Sequence, residues 1–534
     1  MNSVEKELQE FIDKHVSDTQ QLRKELYHAS WDFEVTGTEE SKNRRMDKEL
    51  ELTRIYADKE RFDKLKALKA KENEILDHDL KRHLELFYNS FESEQKDEEL
   101  LSKIIEVSTD INDKYNNFRG HVDGKKVSNN DILEVLENST DNELRKKYWE
   151  ASKEIGEEVA GEVIEVVKLR NQVAQKLGYK NHYEMSLKQE EIDYNYLFNT
   201  LDKLKELTDE PFRKAKNKLD NVLAKRFGIT VEELRPWHYS DPFFQESVNG
   251  DGLNLDHVFS TRDAVEMNIK FYDGIGLETR DMLAKSDLYA REHKSQHAFC
   301  TDLDKEGDVR ILCNIIQNEK WVSTTLHELG HAVYDKYLPR ELPFYLRSPA
   351  HTMSTEAIAM LMGRLTKNAE WLNKIANLEH SEIETHLPDI KEQYRLGMLI
   401  FVRWGLVMVN FERELYNNPD QDLKTLWWDL VEKFQFVKRP ENRHKSDWAS
   451  KLHLALAPVY YQNYILGELI ASQLEYFINN KVEGKTLVEN KSAGDYLVKE
   501  YFSHGARYDW NELLEKSTGE KLNPEFFIHE FLDK

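Results

Sequence analysis

Cysteine, proline and glycine are all scarce in this chain of 534 residues. Its two cysteines, Cys300 and Cys313, provide no disulfide framework, and we expect them to be reduced, buried thiols. The 11 prolines and 21 glycines include no linker rich in Ser, Gly or Pro that would divide the chain into domains. We therefore expect a single domain over residues 1–534.

Long apolar runs and an excess of positive charge are also missing. The acidic N-terminal stretch MNSVEKELQEFIDKH has no apolar signal core, and the longest apolar stretch, residues 396–411, is interrupted by Arg403. We therefore expect a soluble cytoplasmic protein in which residues 396–411 form a buried helix. The formal net charge of −24 argues against nucleic acids and anionic membranes as partners, because both bind positive surfaces.

Apolar residues recur at helical spacing through most of the chain, which predicts a mainly α fold. Strand signals are confined to residues 297–303 and 308–316, which a turn-like Asp-Lys-Glu-Gly segment separates. They predict a small β-hairpin, whose edge could hold an extended peptide or could be purely structural. A looped middle is predicted that includes residues 249–252, Asn-Gly-Asp-Gly.

The segment directly after this hairpin contains an H-E-x-x-H pattern, His327-Glu328-Leu329-Gly330-His331. A helix is predicted here, with Asn318 as its N-cap and Pro339 ending it. Residues i and i+4 share one face of a helix, so both histidines can reach one zinc ion beside a candidate general base, Glu328. The alternative interpretation is an ordinary amphipathic helix that carries two histidines.

A third ligand is needed where two histidines come from one helix, and a carboxylate from a following helix is the usual choice. Ser348 as N-cap and Pro349 as the first helical residue predict such a helix. It carries Glu356, 25 residues after His331, while His351 is a nearby competitor.

A second cluster of polar side chains lies near the predicted helix start at Pro458. It is rich in hydrogen-bond donors of the kind that a hydrolase uses to stabilise an oxyanion, although such residues are more often part of a core. Its members are His453, Tyr460, Tyr461 and Tyr464.

Several blocks of this sequence resemble the angiotensin-converting enzyme family of zinc peptidases and, more distantly, the thimet oligopeptidase and oligoendopeptidase F families. They are ASWDFEVTGTEESK from Ala29, LRNQVAQKLGY from Leu169, HAFCTD from His297, HELGH from His327, LPFYLRSPAHTMSTEAIAM from Leu342, and KLH with the tyrosine cluster. The resemblance implies a helical ellipsoid with a deep central groove. It also implies a lid-like helical part, residues 1–130, and a catalytic part, residues 131–534.

The resemblance assigns the metal site and the catalytic base. One zinc ion per chain would be bound by His327, His331 and Glu356, and this match ranks Glu356 above His351. Glu328 corresponds to the catalytic glutamate of the family.

The resemblance also assigns residues that contact the substrate. His453 and Tyr464 would stabilise the tetrahedral intermediate, with Tyr461 as the alternative to Tyr464 because the spacing is one residue longer here. His297 and Ala298 match positions near the cleaved bond. Lys451 and Tyr461 match two of the three residues that hold a substrate's C-terminal carboxylate.

Three departures from the family pattern are visible. The third carboxylate-holding residue, a glutamine, has no clear counterpart near Trp237, where the sequence is WHYSDPFFQ. Asn463 replaces an arginine linked to chloride binding, so chloride activation is not implied. Met360 replaces an aspartate that supports a zinc histidine, so that support must come from elsewhere or zinc binds more weakly.

Together these observations predict a zinc-dependent metallopeptidase that hydrolyses short peptides. Release of C-terminal dipeptides is favoured by Lys451 and Tyr461, and internal cleavage of short peptides is the alternative. A third hypothesis is a catalytically silent, peptidase-like binding protein, against which the intact H-E-x-x-H pattern argues.

Overall fold

The computed structural model describes residues 1–246 and 256–532, so the predicted loop at residues 249–252 lies outside it. Within these ranges the fold is mainly α, as predicted, with two small antiparallel hairpins. The strands are β1 (Gly120–Val122), β2 (Lys125–Val127), β3 (Phe299–Asp302) and β4 (Val309–Leu312).

Long amphipathic helices are joined by short helices and turns. In chain order the α-helices are α1 (Ser3–Thr36), α2 (Glu39–Tyr56), α3 (Lys59–Lys69), α4 (His78–Ser93), α5 (Glu98–Asn117), α6 (Asn129–Asn138), α7 (Asn142–Lys176), α8 (His182–Gln189), α9 (Tyr194–Phe227), α10 (Asp256–Phe259), α11 (Ala264–Gly274), α12 (Arg280–Leu283), α13 (Glu319–Lys336), α14 (Thr352–Gly363), α15 (Ala369–Lys374), α16 (His380–Asn417), α17 (Leu423–Gln435), α18 (His453–Leu456), α19 (Tyr461–Lys481), α20 (Lys491–Tyr496), α21 (Trp510–Thr518) and α22 (Glu525–Phe531).

The chain divides into two compact units, each built from three separate segments. Unit 1 consists of Met1–Gln95, Leu253–Pro388 and Leu466–Phe527, and unit 2 of Lys96–Gly252, Asp389–Ile465 and Ile528–Lys534. The first 95 residues therefore belong to the same unit as the H-E-x-x-H helix. The lid-like role of residues 1–130, the ellipsoidal shape and the central groove stay predictions.

The second hairpin, β3–β4, is the one predicted before the H-E-x-x-H helix. Phe299 pairs with Leu312 and Asp302 with Val309. The outer side of β4 is bonded to Asp287, which donates to the carbonyl of Ile311 at 3.1 Å. One face of the hairpin packs against α1, where Trp31 lies edge-on to Phe299 and clusters with Leu312. The outer edge of β4 is therefore covered, while residues of β3 line a cavity.

The H-E-x-x-H helix α13 and the following helix α14 pack closely because two glycines lie at their contact. A Cβ on Gly330 of α13 would come within 2.8 Å of the Cα of Ala359 on α14. A Cβ on Gly363 of α14 would come within 3.2 Å of the Cβ of His327. Glycine at these two positions lets the two backbones approach each other.

The predicted start of α13 is confirmed and that of α14 is wrong. Asn318 caps α13 by accepting from the backbone N–H of Trp321 at 2.9 Å. Helix α14 begins at Thr352, and its N-cap is His351, whose Nδ1 accepts from the N–H of Met353 at 3.0 Å. The predicted cap, Ser348, instead accepts a hydrogen bond from Lys305 Nζ at 2.5 Å.

Residues 396–411 lie in α16, and the predicted burial of this stretch is confirmed. In the described ranges α16 is the one helix long and apolar enough to cross a membrane by length and composition, yet 67% of its apolar window is buried in the protein. Its interrupting charge, Arg403, pairs with Asp209 at 2.6 Å and donates to Thr208 at 2.7 Å. A paired charge of this kind is typical of a core helix.

Candidate active site

The structure brings His327, His331 and Glu356 together in unit 1. The two histidines lie one turn apart on α13, and Glu356 faces them from α14. Its carboxylate oxygens are 3.6 Å from His327 Nε2 and 3.8 Å from His331 Nε2. One donor atom from each residue lies within 4.8 Å of the others. The competitor His351 serves instead as the N-cap of α14.

This donor set fits a catalytic zinc site. Two imidazoles and one carboxylate are a common set of protein ligands, and they leave a position open for water or substrate. Ligand atoms around a tetrahedral zinc ion are about 3.3 Å apart, so the 3.6 Å and 3.8 Å distances from Glu356 need only a small contraction. Burial lowers the pKa of His327 to about 4 and that of His331 to about 3, so both imidazoles are neutral and able to coordinate near pH 7.

His331 has a supporting partner that the sequence analysis did not identify. Its Nδ1 lies 2.7 Å from the hydroxyl oxygen of Thr355, the residue directly before Glu356. This hydrogen bond leaves Nε2, the nitrogen that faces Glu356, available for a metal. Met360, which stands where the family has an aspartate, packs near Gly467 of α19 instead. A Cβ added to Gly467 would lie 3.4 Å from the sulfur of Met360. The missing support is thus supplied from α14 itself.

Glu328 is buried beside the two histidines, with 6% of its surface exposed. Burial, and secondarily the charge of Glu356, raises the pKa of Glu328 to about 8. A carboxylate with a raised pKa can both accept and return a proton near neutral pH. The position fits a general base and acid next to the metal ligands.

A cavity of about 640 Å³ opens in front of these residues. One wall is the hairpin, from Ala298 to Asp302, and another is Tyr27 of α1. Ala298 lines the cavity, and its contact with substrate stays a prediction. His297 is exposed and is not among the residues that line the cavity, and its contact with substrate stays a prediction.

The sequence analysis missed Asp335 and Lys305 in this cavity. Burial raises the pKa of Asp335 to about 7 and lowers that of Lys305 to about 8. Asp335 stands four residues after His331 on the same helix, so helical periodicity could have identified it. No comparable signal was available for Lys305, which comes from the turn between β3 and β4.

A separate polar cluster in unit 2 contains the predicted carboxylate-binding residues. Lys451 Nζ donates to Gln245 Oε1 at 2.7 Å and lies 5.9 Å from the centre of the Tyr461 ring. The indole N–H of Trp404 donates to the Tyr461 hydroxyl at 2.7 Å. Gln245 is the last residue of WHYSDPFFQ, the segment in which the sequence analysis found no clear counterpart of the family's glutamine.

The loop that carries Gln245 is held by one buried carboxylate. Asp241 accepts backbone hydrogen bonds from Phe243 at 2.8 Å, from Gln245 at 3.0 Å and from Glu246 at 3.2 Å. Burial is the main cause that raises the pKa of Asp241 to about 6. These three bonds fix the direction in which the Gln245 side chain leaves the backbone.

His453 and Tyr464 also belong to unit 2. Tyr461 packs between them, with ring centroids 5.3 Å from His453 and 5.5 Å from Tyr464. Helix α19 begins at Tyr461 and not at Pro458, because Val459 adopts a positive φ of 53° that interrupts the helix. The Tyr461 hydroxyl accepts from Trp404 and keeps its own hydrogen for donation, so both Tyr464 and Tyr461 stay candidates for the oxyanion donor. Both catalytic assignments stay predictions.

A helical fold with an H-E-x-x-H helix and a glutamate from the following helix is typical of zinc metallopeptidases. The model of Peptidase family M3 matches residues 135–532, and the model named angiotensin-converting enzyme matches residues 2–214. The chain therefore belongs to Peptidase family M3, and its first part is similar to angiotensin-converting enzyme. Both resemblances inferred from the sequence are confirmed.

Curated relatives are distant. The chain is 22% identical over 301 residues to an angiotensin-converting enzyme-related protein of Drosophila melanogaster, which covers 51% of this chain and 46% of that protein. It is 25% identical over 240 residues to an angiotensin-converting enzyme of Theromyzon tessulatum, covering 42% and 38%. It is 23% identical over 264 residues to thermostable carboxypeptidase 1 of Pyrococcus furiosus, covering 45% and 52%. The chain thus spans about half the length of these relatives or less.

Proposed function

We propose that this protein is a zinc-dependent peptidase that hydrolyses short peptides. One observation carries the proposal: His327, His331 and Glu356 converge with their donor atoms within 4.8 Å, beside the buried Glu328. Membership of Peptidase family M3 supports it, because this family and that of angiotensin-converting enzyme are zinc-dependent in general.

Each group of residues in the site has a separate role in the proposed hydrolysis. A zinc ion held by His327, His331 and Glu356 would polarise the scissile carbonyl and lower the pKa of water. Glu328 would take the proton from the attacking water and return it to the leaving amine. His453 and Tyr464 would donate hydrogen bonds to the oxyanion, roles that rest on the family resemblance.

We further propose release of C-terminal dipeptides as the preferred mode of cleavage. Lys451, Gln245 and Tyr461 combine a cation, an amide and a phenol within one cluster, which suits a substrate's free carboxylate. Internal cleavage is the second candidate. It is favoured by the fact that the family M3 model, and not that of angiotensin-converting enzyme, matches the chain over all metal-site residues.

Mass spectrometry of peptide products tests both proposals. Matched decapeptides with a free or an amidated C-terminus are incubated with the enzyme, with and without a chelator. Successive, chelator-sensitive loss of two residues from the free peptide alone is the expected result. Internal cuts that ignore amidation would contradict dipeptide release and would assign Lys451, Gln245 and Tyr461 a structural role.

Glu328→Gln provides the control for the chemistry. The substitution keeps the size of the side chain and removes the proton acceptor, so turnover is expected to fall by about 10²–10⁴ while zinc content stays unchanged. Full activity of this variant would refute the assignment of Glu328. Zinc binding without cleavage of any peptide by the unmodified protein would favour the silent binding protein.

A further inference from the structure

A second cavity in unit 1 adjoins the metal-site cavity at Tyr27, which lines both. It has a volume of about 400 Å³ and lies among α1, α2 and the end of α4. We call it the Arg23 cavity, because Arg23 of α1 lies four residues before Tyr27 and so on the same helix face. Other residues in its lining are Arg45, Glu49, Tyr56 and Glu94.

The guanidinium of Arg23 has neutral partners only. It donates to the hydroxyl of Tyr56 at 2.6 Å and to that of Tyr345 at 3.3 Å. Its central carbon also lies 5.5 Å and 5.3 Å from the centres of these two rings. Within residues 1–246 and 256–532, no carboxylate lies within 4.0 Å of its nitrogens. The other arginine of the cavity, Arg45, is paired with Glu34 at 3.3 Å.

The groups packed around Arg23 do not neutralise its charge. Burial raises the pKa of Tyr56, so this phenol stays protonated near pH 7. His15, whose Nε2 lies 3.1 Å from the Tyr56 hydroxyl, is held neutral because burial and the nearby Arg23 lower its pKa to about 3. Thr19 completes the network through a 2.6 Å hydrogen bond with Tyr345. Glu49 and Glu94 line the cavity without forming an ion pair with Arg23.

A partly desolvated guanidinium without a counterion has an unfavourable solvation energy. It binds a planar carboxylate well, because its N–H donors match both carboxylate oxygens. Four residues of α-helix separate Arg23 from Tyr27, a rise of about 6 Å. An extended peptide covers this distance in about two residues. When one residue of a bound peptide contacts Tyr27 in the metal-site cavity, the side chain two positions along the peptide therefore reaches Arg23.

We propose that the Arg23 cavity is a remote subsite that binds an Asp or Glu side chain of the peptide substrate. The proposal rests on the proposed peptidase function, which supplies the bound peptide. Arg23 acts here by recognition alone and takes no part in bond cleavage.

Matched peptides test the subsite. A neutral decapeptide receives Glu at one position at a time, and each Glu peptide is compared with its Gln counterpart by kcat/KM. One position is expected to favour Glu over Gln by about tenfold in the unmodified enzyme, and Arg23→Gln is expected to abolish this preference. Arg23→Lys should keep part of it, because the charge remains and the forked geometry is lost.

Arg45→Gln is the matched control, since it removes a cavity arginine that already has a carboxylate partner. It is expected to leave the preference for Glu unchanged. If Arg23→Gln lowers kcat/KM equally for Glu and Gln peptides, Arg23 is structural and the subsite is refuted. Absence of any Glu preference in the unmodified enzyme refutes it as well.

Binding to the Glu328→Gln variant separates this proposal from the proposed function. Isothermal titration of that variant with the Glu and Gln peptides measures recognition without cleavage. Arg23-dependent binding of the Glu peptide by a protein that cleaves nothing would refute the peptidase function and retain the subsite. Cleavage with no difference between the two peptides would retain the function and refute the subsite.

Discussion

At the scale of single residues, the zinc ligand His331 is held by a different residue from the one in the family pattern. The family pattern places an aspartate where this chain has Met360, yet His331 is not left without a partner. Thr355, directly before the ligand Glu356, holds His331 Nδ1 at 2.7 Å. The same short segment of α14 thus supplies both a metal ligand and the group that orients another ligand.

Replacement of Thr355 tests this support. Thr355→Val preserves shape and removes the hydroxyl, so zinc affinity is expected to fall about 10- to 100-fold. Competition with a chromogenic chelator measures the affinity. Thr385→Val on α16 is the control, because this exposed threonine donates to the backbone carbonyl of Ser381 at 2.8 Å. Equal affinities of the Thr355→Val variant and the unmodified protein would show that Thr355 does not orient His331.

Lys451 predicts a pH dependence of substrate binding. Burial is the main cause that lowers the pKa of Lys451 to about 8. The protonated amine attracts a carboxylate, and the neutral amine does not. As the pH rises through about 8, KM for peptides with a free C-terminus is therefore expected to rise.

The matched measurement uses an amidated peptide, whose KM is expected to stay constant over the same pH range. In Lys451→Gln, the difference between the two peptides should disappear. A parallel rise of KM for both peptides in the unmodified enzyme would assign the titration to another group.

At the scale of secondary-structure elements, the site depends on the close packing of α13 against α14. Gly330 is one of the two variable positions of the H-E-x-x-H pattern, and a Cβ there would come within 2.8 Å of the backbone of Ala359. The pattern itself tolerates other residues at this position. It is the approach of the second helix, which carries Glu356, that requires glycine.

Gly330→Ala tests this packing. Alanine favours helices by about 1 kcal/mol over glycine, but the clash involves backbone and is expected to cost about 1–3 kcal/mol. Zinc affinity should fall as well, because α14 must move away with Glu356. Chemical denaturation and metal titration measure the two effects.

Gly161→Ala in α7 is the matched control. A Cβ at this exposed helical position meets nothing within 4 Å, so stability is expected to increase by about 0.5–1 kcal/mol. If Gly330→Ala stabilises the protein as Gly161→Ala does, the contact between α13 and α14 is looser than the structure shows.

At the scale of the whole molecule, the proposed zinc site links elements of unit 1 that are separated along the chain. Its ligands come from α13 and α14, and Gly467 of α19 packs against Met360 and Glu356. A metal that binds only the folded arrangement stabilises the fold in proportion to its affinity. Zinc at 100 times its dissociation constant is expected to add about 2.7 kcal/mol to the free energy of unfolding.

Thermal unfolding with zinc and with a chelator measures this effect. The midpoint should rise with zinc in the unmodified protein and stay constant in Glu356→Ala, which removes one ligand. An unfolding midpoint that does not respond to zinc would contradict a site formed by these three residues.

The sequence by itself determined the features that depend on neighbours along the chain. Helical spacing placed His327, Glu328 and His331 on one helix, and two short apolar runs separated by a turn-like segment located the β3–β4 hairpin. The cap of α13 was found for the same reason, since Asn318 bonds to a residue only three positions away. At α14 the same local reasoning chose Ser348 and failed, because Lys305 occupies that hydroxyl from a distant turn.

Only the tertiary structure decided the contacts between distant segments. The residues alone left Glu356 and His351 open and only the resemblance ranked them, whereas the structure brings Glu356 to the two histidines and joins Gln245 to Lys451 across 206 residues of sequence. It also left Arg23 among neutral hydroxyls, which no local pattern shows. Such contacts depend on how helices pack against each other, and packing is set by the shapes of many side chains at once, whereas periodicity records only which face of each helix is apolar.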